Sequence, residues 1–312
     1  IYQAIQSAAD TSIQLIAGGK VTLDLEGFAS PATSYGMQVS GTGTISLDAN
    51  GNASDIEIND AISSGAGAIT MTADDSISFT AEGDITSTDG TVKLTAYVVD
   101  NGSDGALTMA DGTVINAGAG AIDIDAKADI TLGSIQTTNN TATSAVAIDT
   151  TQGGLIDAGD SAGDINIVAD STNAITTINT VTGIGSAGTL ETTISILAAH
   201  NTYSGNIDIA ETNAISINKL DQDGTTDPVD VTLTVEGTIS IIDGQSGVTA
   251  TSGTVTIDAN GTTSSIAVSE DISTTGGAII VSADDDITVD AEDTISSSGG
   301  NITITADTDI VA

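Results

Sequence analysis

The chain is 312 residues long, with 43 acidic residues against four lysines and a net charge of −39. That balance argues strongly against nucleic-acid binding, because phosphate contacts need cationic side chains, and it disfavours anionic membranes and polyuronates. The sequence has no cysteine, so disulfides and thiolate metal sites are excluded too.

Isoleucine and valine recur along the whole chain, which separates it from a disordered acidic tail. Short segments alternate apolar and polar residues: Ile45-Ser-Leu47, Ile56-Glu-Ile58, Ile122-Asp-Ile124, Ile165-Asn-Ile167, Ile207-Asp-Ile209 and Val255-Thr-Ile257. Period-2 alternation places Ile, Leu and Val on one face of a strand and the polar residues on the other. Helical spacing is not sustained, and β-branched residues with scattered glycine disfavour helices. From Ile69 the next inward positions are Ile77, Ile85 and Val92; from Ile279 they are Ile287, Ile295 and Ile302. Each run covers 23 residues, the period of a three-faced parallel coil with three short strands per turn.

Corners are marked by Ala-Asx pairs at Ala49-Asn50, Ala73-Asp74, Ala169-Asp170, Ala259-Asn260, Ala283-Asp284 and Ala306-Asp307. A small residue suits a tight inward corner, and Asn or Asp tolerates the left-handed conformation there. Gly-Gly and Gly-Ala pairs precede the next turn's first strand. Two stretches, Tyr97–Gly120 and Thr177–Thr193, carry extra Gly, Asn, Asp and Thr and read as longer turns or bulging loops. A β-sandwich also uses short alternating strands, but it favours core Tyr or Trp and does not repeat at 23 residues.

The chain also repeats on a longer scale. Gly43-Thr-Ile-Ser-Leu-Asp-Ala-Asn-Gly51 returns as Gly253-Thr-Val-Thr-Ile-Asp-Ala-Asn-Gly261, an offset of 210 residues. Residues 43–102 and 253–312 share 24 identities over 60 positions. The expected organisation is one continuous β-solenoid over 1–312, with a super-repeat unit at 43–252 and partial copies at 1–42 and 253–312. At a strand spacing of about 4.8 Å, one unit is about nine turns and roughly 43 Å long. The sequence opens at Ile1 and stops inside a repeat, which reads as a processed product or an excerpt of a longer protein.

Gly67-Ala-Ile-Thr-Met-Thr-Ala-Asp-Asp-Ser-Ile77 followed by Gly90-Thr-Val-Lys-Leu-Thr-Ala96 resembles the repeats of large secreted bacterial β-helix adhesins, the filamentous-haemagglutinin-like exoproteins and related giant repeat surface proteins. The resemblance lies in repeat style and covers nearly the whole chain. It implies a right-handed parallel β-helix, export to the cell surface and a fibrous role, and it implies no catalytic residue. The amino-terminal secretion domain of that family is not visible, and the super-repeat is longer than is usual there.

Few residues invite chemistry. His200 is the sole histidine and reads as a loop residue without a role. Paired acids can hydrolyse a glycosidic bond, but sugar sites favour aromatic platforms and basic residues, and the chain has no arginine. Hard cations take carboxylate oxygens. The candidate Ca²⁺ ligands are Asp74 and Asp75; Asp284, Asp285 and Asp286; and Asp221, Asp223 and Asp227, with Asp100, Asn101 and Asp104 a weaker group. None has the spacing of a known calcium loop, and Lys127 stands at the corner position held by Asp74 and Asp284. The bland account of these acids is turn chemistry plus solvation. Alternating Thr70 and Thr72, or Thr303 and Thr305, fall short of a flat ice-binding ladder.

The preferred expectation is an extracellular structural fibre or adhesin stalk without enzymatic activity or a required cofactor. Its partner is itself, through end-to-end or tandem continuation, with a surface receptor or matrix as a further partner. No apolar run approaches the roughly 20 residues that span a bilayer, so no membrane insertion is expected in this segment. The alternatives are a Ca²⁺-dependent surface-layer or matrix protein and a carbohydrate-active β-helix enzyme.

Overall fold

A computed structural model describes residues 5–7, 10–24, 35–97, 105–141, 144–159, 165–185, 187–226 and 229–312. The described residues form an all-β chain of short parallel strands, and none of them forms a helix that could cross a membrane. Two compact units are distinguished. The first comprises Ile1–Asn140, Ser144–Gly153 and Ala158–Val168; the second comprises Thr141–Thr143, Gly154–Asp157 and Ala169–Ala312. Each is a β-solenoid.

In the amino-terminal unit, the longest strands stack as Ile13–Ala17, Ile45–Ala49, Ile69–Ala73, Val92–Ala96, Ile122–Ala126 and Ser144–Thr150, all parallel. Alternation then sorts side chains into columns. One inward column runs Ile45, Ile69, Val92, Ile122, Val146 and the next runs Leu47, Met71, Leu94, Ile124, Ile148. All ten of these are at most 1% exposed. Burying one such side chain is worth about 1.5–3 kcal/mol, so each turn adds a similar increment, as expected of a quasi-one-dimensional array. The second face stacks Val21–Leu23, Ile56–Ile58, Ile77–Phe79, Leu107–Met109 and Ile130–Leu132. The third begins Ile5–Ser7, Met37–Val39, Ile62–Ser64, Ile85–Ser87 and continues through Val114–Asn116 and Ser134–Gln136.

The carboxy-terminal unit repeats this scheme. Val231–Val235, Val255–Ala259, Ile279–Ala283 and Ile302–Ala306 pair in parallel, residue for residue. The strand boundaries found from Ile45 to Ala96 recur 210 positions on, from Val255 to Ala306. The expected in-register stacks at 45–47, 69–71, 92–94 and at 255–257, 279–281, 302–304 are therefore present.

Corners depend on glycine and on a neighbouring hydroxyl, from the same turn or the next. A Cβ on Gly67 would lie 1.8 Å from the Gly43 carbonyl oxygen, and one on Gly277 would lie 1.5 Å from that of Gly253. The turns approach so closely here that no side chain fits. Ser64 Oγ donates to the Gly67 carbonyl at 2.7 Å, and Ser297 Oγ donates to that of Gly277 at 2.6 Å, satisfying a backbone group at the inward bend.

Several expectations are corrected. The Ala-Asx corners are not left-handed: among described non-glycine residues, positive φ occurs only at Asp10, Ala53 and Tyr97. Alanine at the corner is nevertheless buried, as at Ala49, Ala73, Ala259 and Ala283. The stretch Tyr97–Gly120 is a longer turn that still carries strands. Residues 98–104 lie outside the described residues, and the short strands Leu107–Met109 and Val114–Asn116 punctuate the rest. The step from Lys93 to its register partner Asp123 is 30 residues, so the turn is longer while its three strands persist. Thr177–Thr193 likewise contributes to strands Ile175–Thr180 and Leu190–Ile194. Finally, Ile69, Ile77, Ile85, Val92, Ile279 and Ile287 are fully buried, whereas Ile295 is half-buried and Ile302 is 43% exposed. Both nevertheless continue the inward columns of Ile272 and Ile279 by register.

One departure from three strands per turn was not expected. In the carboxy-terminal unit, Ile215–Gln222 is a single long strand that pairs with Ile196–Asn201 before it and with both Ile239–Ile241 and Gly247–Ala250 after it. The register slips between Leu197 and Ala198, where Asn218 is the extra residue. This bulge lets one strand serve two faces.

Candidate functional site: acidic columns and a histidine–aspartate cluster

Outward positions form columns as regular as the inward ones, and this decides what the acids do. A carboxylate at a corner lies beside a backbone N–H of an adjacent turn. Asp84 Oδ1 accepts from Val114 N at 2.8 Å, Asp230 Oδ1 from Thr254 N at 2.7 Å and Asp271 Oδ1 from Thr294 N at 2.8 Å. Asp10 accepts from both the N–H and the hydroxyl of Thr42, which hold its carboxyl below the usual carboxylate range. Many acids thus cap N–H groups that the ladder leaves open at corners, where an ionised acceptor makes a strong hydrogen bond.

The candidate cation ligands divide along this line. Asp75 Oδ1 accepts from Gly105 N at 3.1 Å and from Ser76 Oγ at 3.2 Å, while Asp74 is only 8% exposed at the inner side of its corner. Asp284 Oδ2 accepts from Gly261 N at 3.1 Å, Asp285 Oδ2 from Ser265 Oγ at 3.5 Å and Asp286 Oδ1 from Asp309 N at 3.1 Å. The structure spreads these three consecutive carboxylates over different neighbours and does not converge them. Asp227, Asp100, Asn101 and Asp104 lie outside the described residues. At the corner of Asp74, Lys127 stacks on Tyr97, its ammonium 4.4 Å from the ring centroid, so this corner is chemically mixed from turn to turn.

Asp221 and Asp223 are brought together with a residue that sequence reasoning set aside. His200 lies in strand Ile196–Asn201, not in a loop, and its register partner is Asp221. Its Nε2 is 3.5 Å from Asp221 Oδ2 and 3.1 Å from Asp223 Oδ2. Thr249, in the next turn, donates to Asp221 Oδ1, and Thr251 to Asp223 Oδ1 at 3.5 Å. The Lys219 ammonium is 3.3 Å from Asp221 Oδ2. Among the described residues this is the one group of three or more His, Asp or Glu side chains whose ligand atoms converge. The signal was present in the sequence: Asp223 follows His200 by 23 residues, one turn.

A second titratable group was also missed. Glu211 is 1% exposed inside the carboxy-terminal unit. Its Oε2 accepts from Thr192 Oγ1 at 2.7 Å and Ile194 N at 3.0 Å, and its Oε1 accepts from Asn213 N at 3.0 Å. Burial pushes its carboxyl up to about 7 despite these donors. Nearby, Thr180, Asn201 and Gln222 stack as an interior polar column: Thr180 Oγ1 donates to Asn201 Oδ1 at 3.0 Å, and Asn201 Nδ2 to Gln222 Oε1 at 3.0 Å. All three are at most 1% exposed.

No family model, curated protein or solved structure matches the chain.

Proposed function

We propose that this chain is a structural segment of an extracellular fibre or adhesin stalk, a non-enzymatic element that builds length. The observation that carries this reading is like-on-like register. Inward residues meet their own kind from turn to turn, and the block from Ile45 to Ala96 recurs with the same strand boundaries from Val255 to Ala306. Such a plan adds turns without needing a central core.

Electron microscopy of the purified protein, with light scattering, tests the proposal. Threads support it; monodisperse compact particles at all concentrations overturn it. A second reading, a cation-bridged surface matrix, draws on the acidic crowding around Asp293. Its carboxyl is held up by partial burial and then by Glu270, Asp290, Asp271 and Asp243. Calcium-dependent sheets in the same experiment would favour that reading.

A further inference from the structure

We propose that His200, Asp221 and Asp223 form a binding site for a divalent transition-metal ion of the zinc class, one that clamps two successive solenoid turns. An imidazole is a poor ligand for calcium, which takes oxygen donors, but a good one for zinc, which accepts mixed nitrogen and carboxylate sets. Zinc holds such ligands at about 2.0–2.2 Å, so donor atoms on neighbouring corners of a tetrahedron sit about 3.3 Å apart. The observed separations of 3.1 and 3.5 Å from His200 Nε2 to the two Oδ2 atoms bracket that value. A fourth corner is left for water.

The carboxylates are oriented from outside the cluster. The Thr249 and Thr251 hydroxyls engage Oδ1 of Asp221 and Asp223, so the Oδ2 atom of each stands beside the ring. Outer hydrogen bonds of this type fix ligand geometry before an ion arrives. The backbone supplies the rest. His200 and Asp221 are register partners on adjacent parallel strands, held beyond the slip at Asn218. Lys219 serves as the counter-ion without metal; its side chain is 33% exposed, so its ammonium can swing into solvent when a dication replaces it. The site is not a property of the repeat, because the positions 210 residues before Asp221 and Asp223 are Thr11 and Ile13.

The test is zinc binding to the intact chain, measured by native mass spectrometry and thermal unfolding, with calcium at equal concentration as the comparison. One zinc ion per chain is expected, with a rise in Tm that calcium does not reproduce. His200→Ala and Asp223→Asn should each weaken zinc binding by about tenfold or more. Lys219→Met should strengthen it by removing the competing cation, which keeps the proposal testable if His200→Ala does not fold. No zinc-specific binding, equal affinity in His200→Ala, weaker binding in Lys219→Met, or calcium binding as tight as zinc would each overturn it.

Discussion

Two regions of the carboxy-terminal unit solve the same stacking problem differently. Around Val255–Ala259, Ile279–Ala283 and Ile302–Ala306 the ladder is unbroken, the inward columns are Ile, Val and Ala, and polar groups enter only as hydroxyls at glycine corners. Around Ile196–Asn201 and Ile215–Gln222 the register slips, one strand serves two faces, and Asn201, Gln222 and Glu211 lie inside. Where the period is strict, every backbone group meets its counterpart one turn away, and the interior can be aliphatic. In the second region, corner groups such as Gly183 N and the Gly205 carbonyl are met by interior side chains. Asn201 Oδ1 accepts from the first at 2.9 Å and Gln222 Nε2 donates to the second at 2.7 Å. Interior polarity here pairs backbone groups at the corners, since buried amides must be paired.

The regular mode is the less tolerant of charge. Replacing Ile77, fully buried in its column, with Asp should destabilise by about 4 kcal/mol or more, because no donor waits there for a carboxylate. Denaturant unfolding measures this, and Ile302→Asp, at a side chain 43% exposed, should cost far less. A loss at Ile77 no larger than at Ile302 would break the distinction.

The irregular mode should carry a pH signature. Glu211 holds its proton to about pH 7 in the folded chain against 4.5 unfolded. Between those values the folded state binds more protons, so stability falls as pH rises through this window, by about 3 kcal/mol in total. Below 4.5 the contribution is fully retained. Glu211→Gln should flatten that slope while leaving other pH dependence in place.

Gly277→Ala should cost on the order of 2–3 kcal/mol, since its Cβ would meet a backbone carbonyl that cannot move aside. Gly244, with nothing near its Cβ position, is the matched control for crowding, although its φ of +71° adds strain to any replacement. The smallest effect is expected outside the bore. Lys93, which bridges Asp123 and Asp125 on a half-exposed surface, should contribute under about 1 kcal/mol, and less in high salt.

Much of the regular mode was legible in the sequence. Alternation fixed which face of Ile69–Ala73 or Ile279–Ala283 turns inward, and recurrence at 23 and 210 residues aligned the turns without a structure. The irregular mode was not read from the sequence, because its signals are a single phase position or lie a turn apart. Glu211 differs from a surface acid only by lying on the inward phase of Ile207–Glu211, after Ile207 and Ile209. His200 gains its meaning from Asp221 and Asp223, which become neighbours only once the outward residues are stacked turn on turn. The caps made by Asp84, Asp230 and Asp271 were hidden for the same reason: each acceptor and its donor are one turn apart, and only the register joins them.

The central claim, residue-for-residue parallel stacking of successive turns, can be tested by cysteine cross-linking in this cysteine-free chain. Ser46 and Thr70 are outward register partners on adjacent turns, and in-register parallel strands place their Cα atoms about 4.8 Å apart, within the range a disulfide spans. The Ser46→Cys, Thr70→Cys double variant should oxidise to an intramolecular disulfide in the folded state, and so should Thr256→Cys with Ile280→Cys in the second copy. Ser46→Cys paired with Asp123→Cys, three turns away in the same column, should not. Failure of both register pairs to close, or equal closure of the mismatched pair, would contradict the account.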